Sequence, residues 1–186
     1  DLTFAEEFPH EYDEYWDDNF GFRNNYVLVN SYVNYKFFGR SVVPEKVHVG
    51  KGGWLYHVQD ESLPVYRGQN QYPAEKLAYF YDEIKKRRDY LKEKGIAYYI
   101  FLVPTKASVY PEYVGSKYQA FDLPDSVLAR TEQLMGFLKT TDVADNIFYM
   151  KDTLMSLKEQ HHLYYKNDPH WNSLGAKYAA GFMLEK

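Results

Sequence analysis

The run Ile96-Ala97-Tyr98-Tyr99-Ile100-Phe101-Leu102-Val103 does most to limit what this chain can fold into. It is continuously apolar, and its length and its β-branched and aromatic content suit a strand buried on both faces. Strands of that kind belong to parallel sheets. A clear amphipathic helix feeds directly into it, beginning near Pro73, with Leu77, Tyr81, Ile84 and Leu91 on one face and Gly95 at the stop. After it, the pattern predicts a helix around 125 to 139, the short strand Ile147-Phe148-Tyr149-Met150, a helical stretch near 151 to 159, and a last helix from about 173. The order strand, helix, strand, helix predicts an α/β fold whose ligand site lies beyond the carboxyl ends of the strands.

Upstream, a polar and aromatic opening segment leads into a helix predicted at about 22 to 38, for which Gly39 is a natural stop. Val47-His48-Val49 and Trp54-Leu55-Tyr56 flank the cluster Gly50-Lys51-Gly52-Gly53, and two β-type runs around glycines read as a hairpin. From there to Tyr72 the chain reads as loop. No repeat, low-complexity tract or Gly/Ser/Pro-rich linker marks a boundary, so one domain over 1–186 is the expectation.

Composition excludes several classes of function. At 45% hydrophobic and 26% charged, the chain has enough apolar surface to offset the entropy of ordering. A formal net charge of -4 provides no cationic footprint for nucleic acid. No apolar run approaches the roughly 20 residues that cross a bilayer, and Asp1-Leu2-Thr3-Phe4-Ala5-Glu6-Glu7 is too acidic for a signal peptide. An export signal or membrane anchor, if the protein has one, lies outside this chain. The absence of cysteine excludes disulfides and thiolate metal sites and leaves the compartment open. The 20 Tyr and 12 Phe suit core packing first and sugar-ring stacking second.

The segment Tyr164-Tyr165-Lys166-Asn167-Asp168-Pro169-His170-Trp171-Asn172 carries the chemistry. Pro169 fixes its own φ and disfavours a helical Asp168, so Asp168 and His170 flank a stiffened bend. A carboxylate held against one imidazole nitrogen fixes the tautomer and stabilises the imidazolium, leaving the other nitrogen to take a proton from a hydroxyl. His161 and His162 beside this pair raise a rival reading as a metal site, but no His-x-x-x-His or His-Glu-x-x-His spacing supports it.

Asp168-Pro169-His170-Trp171-Asn172, followed by Gly175-Ala176, resembles the Asp-x-His-Trp signature of the alginate O-acetyltransferase-like SGNH hydrolases. Phe20-Gly21-Phe22-Arg23-Asn24 is similar to the family's Phe-Gly-Phe-Arg entry motif. Val49-Gly50-Lys51-Gly52-Gly53-Trp54-Leu55-Tyr56 is similar to its Gly-Trp-Leu hairpin, and Pro104-Thr105-Lys106 to its Pro-x-Lys segment. The four matches occur in family order across most of the chain.

The resemblance implies an SGNH-hydrolase-like, flavodoxin-like parallel sheet flanked by helices, incomplete in this chain. It implies that a serine takes up an acetyl group as an ester and passes it to a hydroxyl of an exported bacterial polysaccharide such as alginate. Acetyl removal would use the same machinery. The work lies outside the cytoplasm, in the periplasm or at the cell surface, with no metal or organic cofactor and with a membrane-bound acyltransferase as acetyl donor. His170 is then the general base and Asp168 its orienting carboxylate. The family's serine follows this pair in a Gly-Asp-Ser-like or Gly-Thr-Ser-like turn that the chain does not contain before Lys186. Either the domain continues past Lys186, which is the preferred account, or it has lost or borrowed its nucleophile.

Within the chain, Ser108 follows the buried strand and Ser173 lies close to His170. Neither sits in a strained Gly-x-Ser turn, and Asn172 or Ser173 reads better as the cap of the last helix. Lys106, in a loop at the carboxyl end of the buried strand, is placed to meet an oxyanion or an acidic sugar, unless it is an ordinary surface lysine. Arg23 reads as a capping or pairing residue and Trp54 as the side chain that packs the hairpin on the core. The alternative function is a non-catalytic polysaccharide-binding or cell-surface module of the same fold, and a third is a plain acetyl esterase.

Overall fold

The computed structural model describes residues 8–59, 62–118 and 129–186. Contacts divide the chain into one unit ending at Val43 and a second, Pro44–Lys186.

In the first unit the polar and aromatic opening segment is itself a helix, α1 (Phe8–Asn19), for which the sequence pattern predicts no element. Phe8, Tyr12 and Trp16 recur every four residues, and their rings stack at 6.0 and 6.4 Å along one side of the helix. Helix α2 (Arg23–Phe38) follows as expected; Arg23 pairs with Asp18 at 3.2 Å, and Gly39, at φ 58°, stops the helix with its N–H on the last-turn carbonyls.

The second unit opens with strands β1 (Val47–Val49) and β2 (Leu55–His57), antiparallel and in the register Val47 to His57, as the glycine cluster predicts. The stretch read as loop contains a short helix, α3 (Ser62–Tyr66), whose Leu63 is fully buried. Helix α4 (Ala74–Glu93) starts after Pro73 and leads through Gly95, at φ 71°, to strand β3 (Ile100–Leu102). A four-residue helix, α5 (Lys106–Val109), follows, then α6 (Arg130–Leu138), strand β4 (Ile147–Tyr149), α7 (Lys151–Leu157) and α8 (Ser173–Leu184). The predicted helix start at 125 to 128 lies outside the described residues.

Strands β3 and β4 pair in parallel, Ile100 opposite Ile147 and Leu102 opposite Tyr149. Side chains alternate across a strand, and here the alternation sorts the two faces. Ile100, Leu102 and Ile147 pack with Tyr81 and Ile84 of α4 and with Met135 and Leu138 of α6. Phe101 and Phe148 stack on each other at 5.3 Å and meet Phe182 of α8. The pair is thus flanked by helices on both sides. The apolar run from 96 to 103 is less enclosed than its composition predicts: only three of its residues are strand, and Ile96, Tyr99 and Val103 are exposed. Among the described residues β3 has one neighbouring strand, β4.

A second cluster lies beyond the carboxyl end of β3. Trp54 of the hairpin stacks flat on Tyr113 at 4.6 Å, and around it Tyr56, Leu63, Val109, Leu154 and Leu163 are buried. Three tyrosine hydroxyls make buried hydrogen bonds here. The Tyr56 hydroxyl donates to Tyr110 O, the Tyr164 hydroxyl donates to Pro104 O, and the Tyr110 hydroxyl accepts from the N–H of Leu163. Each hydroxyl thereby ties its own segment to one more than 50 residues away, and burial raises the pKa of all three.

Candidate active site

The segment bearing Asp168 and His170 is a narrow loop closed by its own ends. Tyr164 bridges to Trp171, Tyr165 N–H donates to His170 O, and Asn172 N–H donates to Leu163 O. Asn172 then caps α8: its Oδ1 accepts from the N–H groups of Leu174 and Gly175 while its amide donates to His162 O. The helix start and the loop are therefore fixed by one residue, and Ser173 is simply the exposed first residue of the helix.

Within the loop, one oxygen of Asp168 accepts twice from His170, from the backbone N–H at 2.8 Å and from Nδ1 at 2.7 Å. An ionised carboxylate only accepts, so Nδ1 carries the proton and Nε2 is the basic nitrogen. Those two hydrogen bonds, with the nearby Lys106 charge, hold the Asp168 carboxyl below its ordinary pKa. The His170 side chain is 78% exposed, and among the described residues nothing else hydrogen-bonds its ring. The pair therefore presents a basic nitrogen to solvent, with its tautomer set from behind.

His170 and Pro169 line a pocket of about 200 Å³ with Tyr56 and His57 of β2, Ser62 of α3, and Thr105 and Lys106 after β3. It stands at the carboxyl end of β3, as the fold class predicts. Sequence reasoning missed Tyr56, His57 and Ser62, because only tertiary packing brings the hairpin and α3 to this wall. A larger cleft of about 440 Å³ lies at the amino end of the same strands, lined by Arg88, Lys92, Tyr98, Asp142 and Asn146. Its charges answer one another, Arg88 pairing with Asp142 at 2.9 Å, and no acid–imidazole pair is present there.

Lys106 differs from both of its sequence-based readings. It is no surface lysine, being 4% exposed, and its ammonium is committed to backbone: Nζ donates to Tyr165 O at 3.0 Å, Lys166 O at 3.2 Å and Asp168 O at 2.9 Å. An ammonium has three N–H donors, so none remains for an oxyanion or a sugar acid. Ser108 is buried, its hydroxyl hydrogen-bonded with Thr105 at 2.9 Å and with Tyr149, and it does not line the pocket. His161 stacks on Tyr178 at 5.3 Å, and no group of three or more metal-ligating side chains converges among the described residues.

Residues 47–185 match the sequence model of the SGNH hydrolase-like domain of the acetyltransferase AlgX. Among curated proteins the chain is similar to a probable alginate O-acetylase AlgJ of Pseudomonas syringae pv. tomato, 28% identical over 169 residues, which cover 89% of this chain and 39% of that protein. A probable alginate O-acetylase AlgJ of Pseudomonas putida is 28% identical over 142 residues, 75% of this chain and 33% of that protein. The chain thus spans two-fifths or less of the length of these relatives. The solved O-acetyltransferase domain of Pseudomonas putida AlgJ superposes with a TM-score of 0.50 at 23% identity, over 75% of this chain and 46% of that one, a likeness of fold.

Proposed function

Because the chain belongs to the family of the SGNH hydrolase-like acetyltransferase domain of AlgX, we propose that it carries the acid–base half of an acetyl-transfer site that modifies an exported polysaccharide. The observation that carries this reading is the 2.7 Å contact between Asp168 and Nδ1 of His170, with Nε2 left open beside a pocket. A base oriented by a carboxylate is what a weak oxygen nucleophile needs at neutral pH.

In this mechanism a serine hydroxyl, which in the family pattern follows the Asp-x-His segment, attacks the acetyl carbonyl carbon of the donor. His170 Nε2 takes the hydroxyl proton as the new C–O bond forms. The tetrahedral adduct collapses, the bond to the donor's leaving group breaks, and the leaving group receives the proton from His170. A sugar hydroxyl then attacks the acetyl-serine with His170 again as base. The sugar ester forms and the serine recovers its proton. Asp168 keeps the imidazole in one tautomer throughout and stabilises the imidazolium. The proposed acceptor is a polysaccharide of the alginate kind, outside the cytoplasm, and the proposed donor is a membrane-bound acyltransferase. The described residues include no helix long and apolar enough to cross a membrane.

The test is product analysis with the full-length protein, an acetyl donor ester and an oligosaccharide acceptor. Acetylated sugar that disappears in His170→Ala supports transfer; free acetate that disappears in the same variant makes the protein an esterase with the same dyad. Activity undiminished in His170→Ala removes the dyad from the reaction. Sugar binding with neither product would make the domain a binding module.

A further inference from the structure

We infer that Lys106 is the positioning residue of the acid–base loop: its buried ammonium holds the backbone of residues 165–168 in the bend that lets Asp168 reach His170. This inference rests on the acetyl-transfer reading for its effect on activity but not for its structural content.

Among the described residues, no backbone N–H of the turn through Tyr165, Lys166, Asn167, Asp168 and Pro169 donates to the turn's own carbonyls. Those of Tyr165, Lys166 and Asp168 converge instead on one Nζ, at 2.9–3.2 Å. Lys166 O accepts in addition the N–H of Leu55, which fastens the same point to the hairpin. The ammonium sits over the rings of Trp54 and Tyr56, 5.4 and 5.0 Å from their centres, so the hairpin adds two aromatic faces to the cation's surroundings.

Asp168 is the hinge of the arrangement. Its carbonyl faces Lys106, and its carboxylate faces His170. Fixing the carbonyl fixes the peptide plane on one side of that residue, and Pro169 fixes φ on the next. The carboxylate is left with little freedom except toward the His170 N–H and Nδ1. Burial, offset in part by the Asp168 charge, leaves the Lys106 pKa lowered to about 8, so the cation is still largely present at neutral pH. A neutral isostere would leave three carbonyls without their donor in a place water reaches poorly, and the loop would leave the bend.

The experiment uses the full-length protein and compares Lys106→Met, Lys106→Arg and His170→Ala. Two readouts are taken besides thermal unfolding: kcat and KM for hydrolysis of p-nitrophenyl acetate, and the downfield proton resonance of the His170 Nδ1–H bonded to Asp168. His170→Ala assigns that resonance by removing it. The expected result is a Lys106→Met protein that unfolds cooperatively, has lost or broadened the resonance, and shows kcat reduced at least tenfold with KM within about twofold. Lys106→Arg, which keeps a cation, recovers the resonance at least in part. A wild-type resonance and wild-type kcat in Lys106→Met overturn the inference. Should Lys106→Met fail to fold, Lys106→Gln, whose amide keeps two donors, decides by the same readouts: a weakened resonance supports the role and an unchanged one overturns it. If instead the wild-type protein and His170→Ala have equal activity, the acetyl-transfer reading fails, and the resonance alone still judges Lys106.

Discussion

One carboxylate oxygen of Asp168 receives both the backbone N–H and the Nδ1–H of His170, at 2.8 and 2.7 Å, across a single intervening proline. A pair two residues apart cannot approach this way on a helix or a regular strand, where neighbours at that spacing point to different sides or lie in line. It needs a bend, and Pro169 with the loop closure from Tyr164 to Trp171 supplies one. The orienting bond is thus made locally. What the rest of the fold contributes is the Lys106 ammonium, which binds the carbonyls of Tyr165, Lys166 and Asp168 along that bend.

Asp168→Asn separates orientation from charge in that pair. The amide can still accept from the His170 backbone through its oxygen, but it can also present an N–H to the ring and favour the wrong tautomer. In the full-length protein kcat is expected to fall by about 10²-fold or more, within the usual range for acid–base assistance, with KM little changed. Steady-state kinetics on an acetyl ester measures this, and an unchanged kcat would mean that the carboxylate does not orient the catalytic base.

The Asp168 carboxyl is held below its ordinary pKa first by the His170 backbone N–H, then by the ring, with smaller help from the Lys106 charge. A carboxylate with a lowered native pKa contributes stability above its unfolded value of about 3.9, and that contribution disappears as pH falls through the native value. Its titration, followed by carboxyl carbon NMR, is expected to lie below 3.9 and to move upward in His170→Ala. The return is partial, because the substitution keeps the backbone N–H. A wild-type titration at or above 3.9 would contradict the double hydrogen bond.

Asn172 both caps α8 and ties the helix start to His162 O. Asn172→Ala removes the cap and leaves two helix N–H groups without their acceptor, which costs about 1 kcal/mol in typical cases. Chemical denaturation of the variant is expected to show a lowered midpoint with an unchanged slope. Because the same residue anchors the end of the dyad loop, activity should fall with it. A stable variant of full activity would show that the loop is held elsewhere.

The elements that depend on local pattern were legible in the sequence: the hairpin around the glycines, α4 between Pro73 and Gly95, the parallel strands β3 and β4, and Asn172 as one of two candidate caps. The Asp168 and His170 pair was legible because its geometry lies within three consecutive residues. What the sequence could not convey depended on packing between distant segments. Lys106 carries the charge of a surface residue, and only the convergence of Tyr165, Lys166 and Asp168 carbonyls on it reveals an interior role. Ser62, Tyr56 and His57 reach the pocket wall from elements some 50 residues before Lys106 and more than 100 before His170, and no local spacing announces that. Helix α1 was hidden because its Phe, Tyr, Trp, His, Asp and Asn residues have middling to low helix propensity, and the four-residue recurrence of Phe8, Tyr12 and Trp16 was the sign of it.

Two glycines of α8 provide a paired test of how closely that helix approaches the loop. A Cβ on Gly175 would run into the backbone oxygen of Leu163 and crowd Trp171 Cβ at 3.1 Å, whereas a Cβ on Gly181 meets nothing within 4 Å. The Leu163 carbonyl cannot retreat freely, since it accepts the N–H of Asn172 at 2.9 Å and belongs to a fully buried residue. Gly175→Ala must therefore push the first turn of α8 away from Leu163, carrying Trp171 and the end of the dyad loop with it. The expected loss is about 1–3 kcal/mol, the usual range for overpacking a tight site, together with reduced activity. Gly181→Ala, in the same helix and unobstructed, is expected to gain about 0.5–1 kcal/mol from helix propensity and to leave activity unchanged. Denaturation curves for the two variants side by side decide the matter: equal stabilisation by both would mean that α8 stands farther from the 163–172 loop than the Asn172 and Gly175 contacts require.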